Sequence, residues 1–318
     1  MRARLTFIAT GLMTAAALIS AQTPRAPRLN PIIALLEQHK PVFGLYAPAS
    51  PRGGAAKTPA ELATETLAYS RSDFVFRAGM EAALDRELPA FTAYVSALAK
   101  AGALVTAPAP RLTHPLMVTS PRTAAGLAKA IAGISSQLNL GVSGVVLVGV
   151  ESPDEVRQGL AAMRFAANGG TRSDSVGTAP AYWGMANAQY RAKADVWPLN
   201  PAGELINWTT IETKAGLARV REIAAVKGIG VLWPGATALR QLFTTTNPDG
   251  QREFDLEAWE DAIDRVLAAC QEFHIACGFP ATAADIDMRM KQGFSVFVMN
   301  RSDPGFRAID IGRAASGR

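Results

Sequence analysis

Between residues 42 and 300, eight short apolar runs alternate with helix-like stretches. The runs cover 42–47, 73–77, 115–119, 144–150, 205–211, 229–233, 276–279 and 294–299. None alternates polar and apolar residues cleanly, which suits strands buried on both faces. Helix-like stretches such as 59–69, 88–101, 124–134, 153–165, 214–225, 256–273 and 281–291 fall between them. A strand, a helix and a second strand in succession make the two strands parallel, because parallel neighbours need a crossover. Eight such units in about 260 residues fit a closed (β/α)8 TIM barrel of the α/β class better than a doubly wound sheet. No glycine-rich dinucleotide turn follows the first run, which counts further against the doubly wound alternative. Since one barrel takes about 250 residues, a single domain over 42–311 is expected.

The flanks read differently. Residues 1–21 have the layout of a signal peptide, with Arg2 and Arg4 ahead of an uncharged apolar stretch from Leu5 to Ile19. Cleavage is expected after the small residue Ala21. The competing reading is an uncleaved anchor, for which the stretch is short against a span of about 20 residues. No cysteine follows it, which argues against a lipoprotein. The mature protein is therefore expected to be exported, periplasmic or secreted, with no stable membrane span after signal removal. Residues 22–41 form a leader with a Pro-rich start, and 312–318 read as a flexible tail.

The chain carries a net charge of +5, and losing Arg2 and Arg4 with the signal leaves +3. The charge is scattered, without a Lys/Arg run, so nucleic-acid binding is unsupported. The two cysteines, Cys270 and Cys277, fall in a helical pattern and in the next strand. Two buried thiols are expected, although export would permit a bridge. His39, His114 and His274 lie far apart and give no Cys/His metal spacing. Asn207 opens a formal glycosylation sequon, but within a strand expected to be buried.

Two connections are long: 168–204, and the polar, turn-rich 244–253. Tyr182, Trp183 and Tyr190 in the first are candidates for a lid or for packing anchors. In such barrels the active site is built just past the C-terminal ends of the strands. That rule selects Arg77 and Glu81, Ser120 and Arg122, Glu151, Thr210 and Glu212, Trp233 and Thr237, and Asn300 and Arg301. Glu212 closes LINWTTIET, where an inward carboxylate has little packing value. Its other reading is a helix-start acid favoured by the dipole.

The stretch INWTTIETKAGLARVREIAAVKGIGVLWPGATAL resembles the central motif of the HpcH/HpaI aldolases, which are related to the citrate lyase β subunit. In that family a strand ending in Ile-Glu-Thr precedes a helix and a strand ending in Gly-Pro-x-Asp-Leu. The resemblance extends to SGVVLVGVESPDEVRQGLAAMRF upstream and to CGFPATAADIDMRMKQGFSVFVMNRSD downstream, over residues 140–303. It implies aldol or retro-aldol chemistry on a small 2-oxo or hydroxy acid, through an enolate stabilised by a divalent metal such as Mg²⁺. Glu212 falls on the family's metal-binding Glu. The loop of Trp233, Gly235, Ala236 and Thr237 falls where the family holds the pyruvate carboxylate, by backbone N–H groups. The family's metal-binding Asp falls at Thr237 or Ala236. Its strand-three Arg falls near Val118, with Arg122 or Arg77 able to supply a guanidinium from a neighbouring position. Its base, a His after strand two, has no counterpart in DFVFRAGMEAALD. Glu81 is the nearest ionisable group there; it reads either as a base or as a solvated helix-start acid. These absences leave open a catalytically silent exported barrel that binds a small carboxylate, or a hydrolase or lyase with repurposed residues. Relatives of this type are commonly oligomeric, so a homo-oligomer is implied.

Overall fold

Eight parallel strands close on themselves in a computed structural model that describes residues 27–51, 53–123 and 126–318. They are β1 (Val42–Tyr46), β2 (Phe74–Arg77), β3 (Leu116–Thr119), β4 (Gly144–Leu147), β5 (Leu205–Ile211), β6 (Val231–Pro234), β7 (Ala276–Pro280) and β8 (Val296–Met299). Each pairs with the next, and β8 pairs back with β1, Val42 opposite Val296. Each of the eight apolar runs holds one of these strands, with helices between them. The signal-peptide reading of residues 1–21 lies outside the described residues.

Successive side chains on a strand point to opposite faces, so a closed barrel sorts every strand into an inner and an outer set. Val42, Phe74, Met117, Val146, Trp208, Val231 and Val296 belong to the inner cluster. Phe43, Val75, Val118, Val145, Leu232 and Phe297 belong to the outer cluster, against the helices. Both sets are apolar, which explains why no run alternates cleanly. The helices start on local caps that the sequence supplies. Thr58 and Glu61 form a reciprocal capping box at Pro59–Ala68, and the Ser152 and Asp255 side chains cap Pro153–Met163 and Leu256–Glu272.

The leader is structured where it is described. Asn30 caps the short helix Pro31–Leu36 and donates from its side chain to Glu204 O at 3.2 Å. Ile32 and Ile33, fully buried, join the inner cluster, so this helix packs into the barrel interior. The long connection 168–204 links a helix to β5 and therefore enters that strand at its N-terminal end, away from the mouth. Trp183 is fully buried and donates to Gly141 O at 2.8 Å, while Tyr190 donates to Leu138 O at 3.0 Å. These aromatics are packing anchors, and the lid reading falls. Asn207 is also fully buried.

Two expectations are corrected. Cys270 and Cys277 form a disulfide, with Cα atoms 5.6 Å apart. Cys277 sits on the outer face of β7, and the turn between them brings the last part of Leu256–Glu272 back over that strand, within the separation a disulfide spans. The tail is not loose. Residues 303–315 form a helix, and Arg318 beyond it places its guanidinium 2.7 Å from Asp73 Oδ1 and 3.0 Å from Oδ2. Asp73 Oδ2 also accepts from Phe43 N at 2.8 Å, and Arg313 approaches Oδ1 at 3.3 Å. A nearly buried carboxylate at the entry to β2 thus holds both β1 and the C-terminus. Removing it leaves buried positive charge uncompensated, so Asp73→Ala is expected to cost about 3 kcal/mol. Urea denaturation would show this as a lower midpoint at unchanged slope; an unchanged midpoint would refute it.

Candidate active site

The inner-face rule selects which residues reach the mouth. Counting by twos along β5 from Ile206 gives Trp208, Thr210 and then Glu212 beyond the strand. The same count gives Phe76 on β2, Thr119 on β3, Val148 after β4, and Trp233 and Gly235 at the end of β6. All of these line one cavity of about 460 Å³, together with Tyr46, Glu81, Arg122, Ala236, Thr237, Gln241 and Pro280. A larger hollow of about 630 Å³ lies at the opposite end, among the N-terminal strand positions Gly230, Ala276 and Ser295. That end of a barrel serves stability rather than chemistry.

The floor of the mouth cavity is aromatic. Phe76, Trp208 and Trp233 lie nearly parallel, with ring centroids 6.1 and 5.4 Å apart and interplanar angles of 11° and 5°. Trp208 is 1% exposed, and its indole N–H has no acceptor among the described residues.

The rim carries the charge. Arg122, in the loop after β3, brings Nη2 to 3.1 Å from Glu212 Oε1; the glutamate side chain is 10% exposed and the arginine 48%. This is an ion pair without hydrogen-bond alignment, because Glu212 Oε1 is buried and accepts no hydrogen bond among the described residues. Two glycines admit the pair. Gly149 has φ +66°, and a Cβ there would stand 3.0 Å from Arg122 Nη1 and 3.4 Å from Glu212 Oε1. A Cβ on Gly235 would meet Glu212 Cβ at 2.5 Å. Burial raises the Glu212 carboxyl above its ordinary value; Arg122 opposes that rise and Glu81 adds to it.

Glu81 stands at the helix start and also lines the cavity. Its Oε2 accepts from Gly79 N at 2.8 Å, bracing the start of Met80–Lys100, and from Thr119 Oγ1 at 2.6 Å inside the cavity. Beyond β6, Gly235 spends its N–H on Ile211 O at 2.8 Å, so the first amides of Ala236–Leu242 are those left to meet a ligand.

Arg77 does not reach the cavity. It is the outward member of β2, one position past Phe76, and its Nη2 donates to Glu87 of Met80–Lys100 at 2.9 Å. Its proposed catalytic role is corrected on that ground. Arg301, also outward, donates to Tyr46 O and Glu65 O. Ser120 Oγ turns to Pro121 O, and Glu151 and Asn300 stay outside the lining. Tyr46, Phe76, Thr119, Trp208 and Gln241 went unselected from the sequence; counting back by twos from Glu212 would have found Trp208, whereas the other runs carry no such anchor for their parity.

The sequence model of the HpcH/HpaI aldolase/citrate lyase family matches residues 110–298. This chain belongs to that family. Membership suggests carbon–carbon lyase activity on small acids. An HpcH/HpaI aldolase/citrate lyase family protein from Burkholderia cenocepacia J2315 superimposes with a TM-score of 0.64 at 20% identity, over 90% of this chain and 97% of that one. The HpcH/HpaI aldolase of Desulfitobacterium hafniense DCB-2 gives 0.61 at 15%, over 89% and 95%. The citrate lyase β subunit from M. tuberculosis, complexed with oxaloacetate and magnesium, gives 0.51 at 14%, over 88% and 98%. At these identities the likeness shows the fold. No curated protein matches the chain.

The residues do not fit the two-carboxylate metal site implied for the family. Ala236 and Thr237 offer no carboxylate, and the Arg122 guanidinium sits against Glu212. Among the described residues, no three His, Cys, Asp or Glu side chains converge as metal ligands.

The raised Glu212 carboxyl makes stability depend on pH. Between the ordinary glutamate value of 4.5 and its raised folded value, the folded protein holds a proton that the unfolded chain has lost. Stability therefore falls as pH rises through that window. Glu212→Gln escapes this loss, so its thermal midpoint relative to wild type should climb as pH rises above the ordinary glutamate value of 4.5. A difference that shrinks with rising pH would contradict the assignment.

Proposed function

We propose that the protein is a carbon–carbon lyase that cleaves a small 2-oxo or hydroxy acid in the mouth cavity. The observation that carries this reading is the convergence of Arg122, Glu212, Glu81 and the Gly235–Thr237 loop above an aromatic floor. For a 4-hydroxy-2-oxo acid, the substrate carboxylate meets Arg122 and the amides that open Ala236–Leu242. Glu81, already an acceptor for the Thr119 hydroxyl, takes the proton of the substrate's C4 hydroxyl. The C3–C4 bond breaks, its electron pair forms the enolate of a pyruvate unit, and an aldehyde leaves. Return of the proton to C3 completes the exchange and restores Glu81. The Phe76–Trp208–Trp233 floor keeps water from the enolate face.

The metal-stabilised version of this chemistry finds Glu212 but not its aspartate partner, and the steps above use only the chain's own groups. A small 2-oxo acid is the substrate class favoured here, in line with the oxaloacetate held by the citrate lyase relative. We also propose export: the layout of residues 1–21 supports it, as does a disulfide of the kind that persists in oxidising compartments. N-terminal sequencing of the native protein should then begin at Gln22; an intact Met1 would refute it.

Purified protein should release pyruvate from 4-hydroxy-2-oxo acids, followed through a lactate dehydrogenase couple. Glu81→Gln should lower kcat by about 10²-fold or more, with far less change in KM. Binding of 2-oxo acids without turnover would replace the lyase with a silent carboxylate-binding barrel. Absence of binding would sink both readings.

A further inference from the structure

We infer that the Arg122 guanidinium, seated on Glu212, takes over the cationic role at the mouth, so that this barrel holds a monoanionic 2-oxo acid without a divalent metal. The inference rests on the oxo-acid reading above and specifies how that site recognises its substrate.

Three observations converge on it. First, among the described residues the only cationic side chain in the cavity lining is Arg122, and it stands 3.1 Å from the inward carboxylate that follows β5. The backbone is shaped around this pair: Gly149, in the left-handed region, leaves just the room that Arg122 Nη1 and Glu212 Oε1 occupy. Second, no second carboxylate stands across from Glu212 on the loop after β6, where Gly235, Ala236 and Thr237 line the cavity. The other acid of the lining, Glu81, already accepts from Gly79 N and Thr119 Oγ1. Two hard anionic ligands for one dication are therefore not assembled, and a dication on Glu212 would have a guanidinium as its immediate neighbour. Third, Arg122 is half exposed, while Glu212 is nearly buried. A guanidinium carries five N–H donors in a planar fork. With Nη2 at Glu212, the remaining donors are open to a carboxylate and to the adjacent keto oxygen. Charge-assisted hydrogen bonds to that oxygen also stabilise it as it becomes an enolate.

Charge counting then sets the substrate class. Among the described residues, Glu81, Glu212 and Arg122 give the lining a formal net charge of −1. A bound dication would reverse that sign and welcome dicarboxylates. Without one, the cavity favours a single carboxylate with an uncharged remainder laid over the Phe76–Trp208–Trp233 stack. Pyruvate and its apolar homologues fit this description better than oxaloacetate does.

The test uses the full mature protein, stripped with EDTA and returned to metal-free buffer. Mn²⁺ is titrated first, by calorimetry and by electron paramagnetic resonance; pyruvate and oxaloacetate are then titrated with and without Mn²⁺. The expected results are no Mn²⁺ binding, a pyruvate affinity unaffected by Mn²⁺, and weaker binding of oxaloacetate. Arg122→Gln should weaken pyruvate binding by about tenfold or more, with Arg122→Lys, which keeps the charge beside Glu212, recovering part of the loss. Stoichiometric Mn²⁺ binding, or a pyruvate affinity that rises about tenfold with Mn²⁺, would overturn the inference and leave the oxo-acid reading standing. An Arg122→Gln protein that binds pyruvate like wild type would also overturn it. If neither 2-oxo acid binds under any condition, the oxo-acid reading falls and the inference falls with it.

Discussion

Everything at the mouth depends on the period-two alternation of side chains in a closed parallel barrel. Once β8 pairs with β1, each strand has one face toward the axis and one toward the helices, and no residue escapes the choice. On β2 the choice falls between Phe76 and Arg77: the first stacks over Trp208, and the second turns outward to Glu87. On β5 it delivers Trp208, Thr210 and Glu212 to the same cavity. A one-residue slip of β5 would exchange Glu212 for its neighbours and dismantle the site.

Within that frame the chemistry is carried by one charge pair over an apolar floor. Burial makes the Glu212 charge costly, and Arg122 offsets the cost from a more exposed position. An active site often holds such unfavourable burial in exchange for function, while stability is secured elsewhere. Here the far end of the barrel supplies it. The helix Pro31–Leu36 inserts Ile32 and Ile33 into the interior, and Asp73 holds β1, Arg313 and Arg318 together. The division agrees with the general separation between a reactive C-terminal face and a stabilising N-terminal face.

Much of this was legible in the sequence. The eight runs announced the barrel, because parallel strands must be apolar on both faces, and the Ile-Glu-Thr and Trp-Pro-Gly segments announced the family. Glu212, Arg122, Glu81 and Thr237 were each reached from the rule about strand ends, and Gly235 and Ala236 from the resemblance. Arg77 was misplaced because a run with two apolar faces hides its own parity; only the ring contacts of Phe76 reveal it. The disulfide was hidden for a related reason, since the turn over residues 271–275 decides whether Cys270 returns to Cys277. The order of the C-terminus depends on Asp73, some 240 residues away in the chain, and no local pattern near Arg318 points to it.

The central claim is that a carboxylate ligand is held in the mouth cavity by Arg122 braced on Glu212. A crystal structure of the mature protein grown with pyruvate in metal-free solution tests it most directly. The account predicts a carboxylate within hydrogen-bond reach of Arg122, above the Trp208–Trp233 stack, with the guanidinium lying between the ligand and Glu212. A metal ion bridging Glu212 and the ligand, with Arg122 turned away, would contradict it, as would a ligand bound anywhere else.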